Sequence, residues 1–63
     1  MSIERNIKNY IESHGIKQTF IADKSGIDIK ILNAILNERT KITAERLKIV
    51  SDVLKVDPNI FLD

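Results

Sequence analysis

Hydrophobic residues recur at helical spacing along most of the chain, in runs separated by short polar segments. Ile3, Ile7 and Ile11 are spaced four residues apart, so they share one face of a helix. Ser2 can cap the start of that helix, and Gly15 can end it. No segment shows a strand pattern that competes with the helical spacing. The pattern therefore predicts an all-α protein.

Two further helices are predicted in the C-terminal third of the chain. Thr43 is expected to cap a helix whose apolar residues form a core stripe. This stripe comprises Leu47, Val50, Val53 and Leu54. Asp57 and Pro58 are expected to open a last short helix, with the aspartate as cap and the proline at the first helical position.

The segment 17–37 predicts two short helices joined by a tight turn. Gly26 can adopt a positive φ without steric cost, as such a turn requires. Asp28 follows as the N-cap of a second helix that runs through Asn37. Ala22 is small enough for the close approach of a steeply crossing helix. The arrangement indicates a helix-turn-helix motif.

The second helix of this motif has two different faces. At about 100° per residue its inner face comprises Ile29, Leu32, Ile35 and Leu36. Its outer face comprises Lys30, Asn33, Ala34 and Asn37. Such an outer face suits the major groove of DNA, because Asn can read adenine, Lys can reach guanine or phosphate, and Ala can contact a thymine methyl. An ordinary solvated helix face is the alternative interpretation.

Over residues 7–62 the sequence resembles the phage repressor and Cro-like helix-turn-helix family, of the XRE type. The positions that carry the resemblance are Gln18, Ala22, Gly26, Leu32, Ile35, Leu47, Val50, Leu54 and Val56. The resemblance implies a lambda-repressor-like fold, a compact bundle of five short helices in a single domain spanning 1–63. It also implies a sequence-specific, double-stranded DNA-binding transcriptional regulator, of repressor type, that binds a palindromic operator as a dimer.

The same resemblance implies which residues contact DNA. Gln18 would touch a phosphate at the start of the first motif helix, and the base readers would be Ile29, Lys30, Asn33 and Ala34. The full set expected at the DNA comprises Lys17, Gln18, Thr19, Ile29, Lys30, Asn33, Ala34, Asn37, Arg39, Thr40 and Lys41.

The sequence departs from the family pattern at two informative places. Glu38 stands where a glycine often ends the recognition helix, so Asn37 or Glu38 must adopt the left-handed conformation, and Asn37 is the expected one. Ile11 and Leu36 stand where many relatives have a buried Arg and Glu pair. Because packed hydrophobic residues can replace a buried ion pair without loss of stability, these two residues are expected to pack together.

Composition indicates how strongly the protein binds DNA and in which compartment it is expected. The net charge of +1 predicts only a few phosphate contacts per copy, and hence modest binding by a single copy. Since one recognition helix also reads only a few base pairs, the protein is expected to bind DNA as a weak homodimer. Ile60 and Phe61 are the candidate dimer contacts, and a place in the core is the alternative for both, more so for Phe61 than for Ile60. The absence of cysteine excludes disulfides and thiolate metal sites, which is typical of a cytoplasmic protein, here expected in a bacterial cell or phage-infected host. No apolar run approaches the length of a membrane span.

Catalysis and cofactor binding find no support in the sequence. The single His14 precedes a helix-ending glycine and has no cysteine or second histidine with which to bind a metal. No phosphate-binding loop, cofactor motif or small-molecule site is predicted.

A protein-interaction module remains the alternative function: an antirepressor-like or antitoxin-like domain that binds another regulator. The near-neutral charge and the apolar Ile29 and Ile31 favour that alternative.

Overall fold

A computed structural model of the chain describes residues 2–62. Met1 and Asp63, the ends of the predicted domain, lie outside the described residues. Helices account for all of the regular structure in residues 2–62, and no strand occurs among them. The elements are α1 (Ile3–Ser13), α2 (Gln18–Ser25), α3 (Ile29–Leu36), α4 (Ala44–Leu54) and a 3-10 helix (Pro58–Phe61).

The prediction of five α-helices was wrong for the last element. Pro58–Phe61 is a single 3-10 turn of four residues. The amide of Ile60 bonds to the carbonyl of Asp57 at 3.1 Å, and that of Leu62 bonds to Asn59 at 3.2 Å. Both bonds span three residues, the spacing that short 3-10 segments use.

The predicted helix starts are confirmed. The side chains of Ser2, Asp28, Thr43 and Asp57 each accept a hydrogen bond from a backbone N–H two or three residues farther along. Gly26 has the positive φ of 76° expected at the turn between α2 and α3. These features are local in sequence, because a short polar side chain or a glycine can satisfy a helix end without help from distant residues.

The left-handed residue that ends α3 is Glu38, with φ of 61°, and the prediction that assigned this conformation to Asn37 was wrong. The amide of Glu38 bonds to the carbonyl of Ile35 at 3.0 Å, and that of Arg39 bonds to Ala34 at 2.8 Å. This pair of bonds is the Schellman arrangement, which places the left-handed residue one position beyond the C-cap. Asn37 is that C-cap, so the strained conformation falls on its neighbour.

The core lies between the four α-helices and the 3-10 helix. Its buried cluster comprises Ile7, Ile11, Ile21, Ile27, Leu32, Leu36, Leu47, Val50 and Phe61. Ile11 and Leu36 are each only 1% exposed within this cluster, on the two helices α1 and α3, which pack against each other. Val53 and Leu54 of the predicted stripe are partly buried at its edge.

One apolar residue differs from expectation, and another settles between two alternatives. Ile29, expected on the inner face of α3, is 40% exposed. It shares a helix face with Leu36 but lies about 10 Å away along the axis, in the first turn, beyond the packed part of the helix. Of the two alternatives for Phe61, the core is the one observed, and its ring packs edge-on against the ring of Tyr10. Neighbouring Ile60 is exposed.

Within residues 2–62, none of the helices combines the length and the apolar character needed to cross a membrane.

Candidate nucleic-acid interface

The turn at Gly26 presents α3 on the surface of the molecule while its apolar side packs into the core. Leu32, Ile35 and Leu36 are buried, and the opposite side of the helix is open to solvent. The open side, called here the reading face, comprises Lys30, Asn33, Ala34 and Asn37. All are exposed except Ala34, which is half-buried.

An open groove of about 320 Å³ runs beside the reading face. Its lining comprises Ile29, Lys30, Asn33 and Arg39. Arg39 comes from the loop that follows α3, so the chain returns alongside the helix and adds a second cation to the groove. Two cations, an amide and an apolar side chain together can contact phosphates, base edges and methyl groups.

Asn33 is the centre of a chain of side-chain hydrogen bonds that links three helices. Its amide Nδ2 donates to Oε1 of Gln18, on α2, at 3.3 Å. The amide Nδ2 of Asn37 donates to the Asn33 Oδ1 at 2.9 Å and to the Asn33 carbonyl oxygen at 3.0 Å. Lys8, on α1, donates from Nζ to Oδ1 of Asn37 at 3.3 Å. These bonds hold the exposed amide of Asn33 in one orientation.

This network leaves part of the Asn33 amide available. A primary amide has two N–H donors and two acceptor lone pairs on oxygen. Gln18 takes one donor and Asn37 takes one lone pair. One donor and one acceptor remain, which is the combination that the major-groove edge of adenine pairs with. The network itself was not foreseen, because its members lie up to 29 residues apart.

The other residues expected at the DNA lie outside the groove lining. Lys17 and Thr19 are exposed at the start of α2, and the side chain of Lys17, the N-cap, makes no capping bond. Thr40 and Lys41 are exposed in the loop between α3 and α4. The structure thus brings the predicted residues to three places: the start of α2, the reading face with its groove, and the loop after α3.

Glu4 is a buried acid that sequence reasoning missed. It lies in the first turn of α1, where an acid is ordinarily exposed, yet it is only 8% exposed. Its Oε2 accepts a hydrogen bond from the backbone N–H of Ile42 at 2.9 Å. That hydrogen bond holds the pKa of Glu4 below its usual value, against the opposing effect of burial. The Glu4 backbone N–H and the charge of Lys41 lower it further.

The lowered pKa of Glu4 predicts that acid weakens the fold. A carboxyl whose folded-state pKa is depressed adds stability above its unfolded-state pKa, and this contribution is lost as the pH falls through the folded-state pKa. Urea unfolding measured between about pH 6 and pH 2 should therefore show a smaller loss of stability for Glu4→Gln than for the wild type. Glu12→Gln, which removes an exposed carboxyl from α1, is the control. Identical pH profiles for Glu4→Gln and wild type would contradict the prediction.

Comparison with known proteins agrees with this geometry. A helix-turn-helix family model matches residues 7–61, which include both motif helices, the reading face and the loop after α3. No curated protein and no solved structure matches the chain. The matched family is one of DNA-binding regulatory domains. The chain therefore belongs to the XRE-type helix-turn-helix family, consistent with the Cro and C1-like class of DNA-binding regulators.

Proposed function

We propose that this protein is a sequence-specific transcriptional regulator of repressor type that inserts α3 into the major groove of double-stranded DNA. The observation that carries the proposal is the Asn33 amide, which is exposed on the reading face and held by Gln18 and Asn37 with one donor and one acceptor free. An amide fixed before binding loses little rotamer entropy on contact with a base. Adenine is the base that it fits best.

The remaining residues divide into base contacts and backbone contacts. Lys30 and Ala34 flank Asn33 on α3, and Ile29 adds an apolar surface that suits a thymine methyl. Phosphate contacts come from the start of α2 and from the loop after α3. They comprise Lys17, Gln18, Thr19, Arg39, Thr40 and Lys41. These contacts fix the position of α3 in the groove, and the base contacts supply specificity.

Regulation then follows from occupancy of an operator in the cytoplasm of a bacterial cell or phage-infected host. The protein acts as a binding module, without a cofactor or metal. Selection of bound sequences from a random duplex library tests the proposal. We expect an enriched palindrome with an adenine at one fixed position in each half-site. Enrichment of no sequence at all would contradict specific recognition.

Replacing Asn33 by Ala should weaken binding to the selected site by about 1–3 kcal/mol and relax the preference at one base pair. The cost is expected to fall on the selected site because random DNA does not offer the matching adenine. Titration of the variant against both duplexes measures the difference. Equal losses on selected and random DNA would refute the assignment of Asn33 as a base reader.

Replacing Lys41 by Ala should weaken binding to every sequence alike, because a phosphate contact carries no base information. The slope of log K against log salt concentration should fall by about 0.9, the value for one released counterion. A loss confined to the selected site would instead show that Lys41 reads a base.

A protein-interaction module is the second candidate function, and the exposure of Ile31 favours it. Ile31 lies on α3 beside the reading face and is 38% exposed, although a helix that only reads DNA has little use for an apolar side chain there. Ile31→Lys distinguishes the candidates, since it should abolish binding to a partner regulator and leave DNA recognition in place.

A further inference from the structure

We infer that Glu4 is a positioning residue for DNA binding: its carboxylate holds the loop 37–43 so that Arg39 and Lys41 lie against the phosphate backbone. An acid would thus promote binding to a polyanion. The inference rests on the proposed function, in which this loop contacts phosphates.

The first turns of α1 contact the loop at both of its ends. Nζ of Lys8 donates to the Asn37 side chain, and the Ser2 hydroxyl donates to the Glu38 carboxylate, so the beginning of the loop is attached to α1 at two points. The Glu4 carboxylate accepts from the Ile42 N–H, so the end of the loop is attached as well. Arg39, Thr40 and Lys41 lie exposed between these attachments.

Glu4 makes the most consequential of these attachments. The bonds of Lys8 and Ser2 are exposed to water, where competing hydrogen bonds reduce their contribution. The Glu4 bond is partly buried, so water competes less for the Ile42 N–H there than at the exposed bonds. Without it the Ile42 N–H would need another acceptor, and the loop would have to move to find one.

The position of the bond explains how it acts on the loop. Ile42 directly follows Lys41 and directly precedes Thr43, the N-cap of α4. The charge of Lys41 is close enough to lower the pKa of Glu4, so this cation lies near the attached end of the loop. Fixing the Ile42 amide therefore fixes the backbone from which the Lys41 side chain extends.

Two variants distinguish an effect of the Glu4 charge from an effect of Glu4 on the position of the loop, because the two effects predict opposite changes in DNA binding. Glu4→Gln removes the charge but keeps an oxygen that can reach the Ile42 N–H. Glu4→Asp keeps the charge but is one methylene shorter, so its oxygens fall short of that amide. If Glu4 acts through repulsion of DNA, Glu4→Gln should strengthen DNA binding and Glu4→Asp should leave it unchanged. If Glu4 positions the loop, Glu4→Gln should bind DNA like the wild type and Glu4→Asp should bind it more weakly.

The experiment measures the salt dependence of binding to a random-sequence duplex for both variants, with folding checked by circular dichroism. We expect Glu4→Asp to lower the slope of log K against log salt concentration by about 0.9 for each phosphate that the loop no longer neutralises, and by about 1.8 when Arg39 and Lys41 are both displaced. Glu4→Gln should keep the wild-type slope. Glu12→Asp, on the same helix, is the matched control and should also keep it.

Lys41→Ala in the same assay separates failure of this inference from failure of the proposed function. A reduced slope for Lys41→Ala with a wild-type slope for folded Glu4→Asp would overturn the positioning role and leave the phosphate contacts of the loop standing. An unchanged slope for Lys41→Ala would refute the phosphate contact of Lys41, and with it the role of Glu4 in placing that side chain. Tighter binding by Glu4→Gln than by wild type would also overturn the inference, because it is the result that repulsion predicts.

Discussion

Leu36→Glu is expected to destabilise the protein by about 3–5 kcal/mol, because it places a carboxylate without a partner in the core. Leu36 is 1% exposed, and its surroundings are apolar. A loss of this size is comparable with the whole stability of a chain of 63 residues, about 3–9 kcal/mol. Urea unfolding followed by circular dichroism should show a largely unfolded variant. Leu62→Glu makes the same change at an exposed leucine and should cost little.

Adding Ile11→Arg to Leu36→Glu should recover part of the loss. Ile11 and Leu36 lie in one core cluster on the facing helices α1 and α3, so the two charges can pair. Each single change leaves a buried charge unpaired, and the double change leaves neither unpaired. The double variant should therefore be more stable than the sum of the two single losses predicts, by about 1–3 kcal/mol. Additive losses would show that the two side chains are not in contact.

The helix boundaries could be predicted because they depend on neighbouring residues. Ser2, Asp28 and Thr43 each satisfy an amide within three positions, so residue type alone identifies them as caps. Gly26 was identifiable in the same way, because its φ of 76° is costly for other residues. The left-handed residue at the end of α3 could not be identified in this way. A Schellman arrangement is fixed by the bonding of six residues rather than by the identity of Asn37.

The candidate site could also be predicted only in part: its local features follow from the sequence, and its contacts between helices do not. Helical spacing placed Lys30, Asn33 and Asn37 on one face, and they are exposed together. Spacing could not show that Gln18 and Asn33 are hydrogen-bonded, because their contact depends on how α2 packs on α3. The bond from the Ile42 N–H to the Glu4 carboxylate spans 38 residues. Because any non-proline residue could supply this backbone amide, no residue type in the sequence indicates the bond.

Binding of two protomers to one palindromic duplex is the other prediction of large effect. A single recognition helix of a helix-turn-helix reads only a few base pairs, and the net charge of +1 allows few phosphate contacts. Two copies on half-sites roughly 34 Å apart would bind about 100-fold or more tightly than one copy on a single half-site. Ultracentrifugation with and without the duplex should show a protein that is monomeric or weakly associated when free and dimeric on DNA.

Ile60 is the side chain expected to lie between the protomers. It is 48% exposed beside Leu62 at 53%, while Phe61 between them is buried, so the C-terminal segment presents an apolar surface without exposing its core residue. Ile60→Lys should reduce binding to the palindrome toward the affinity for one half-site, because two added charges would face each other across the two-fold axis. Phe20→Lys adds the same charge at an apolar side chain that is also exposed, on α2, and should leave two protomers per duplex. A tight complex of one protomer per palindrome, or a folded Ile60→Lys variant that still binds as a pair, would refute this arrangement.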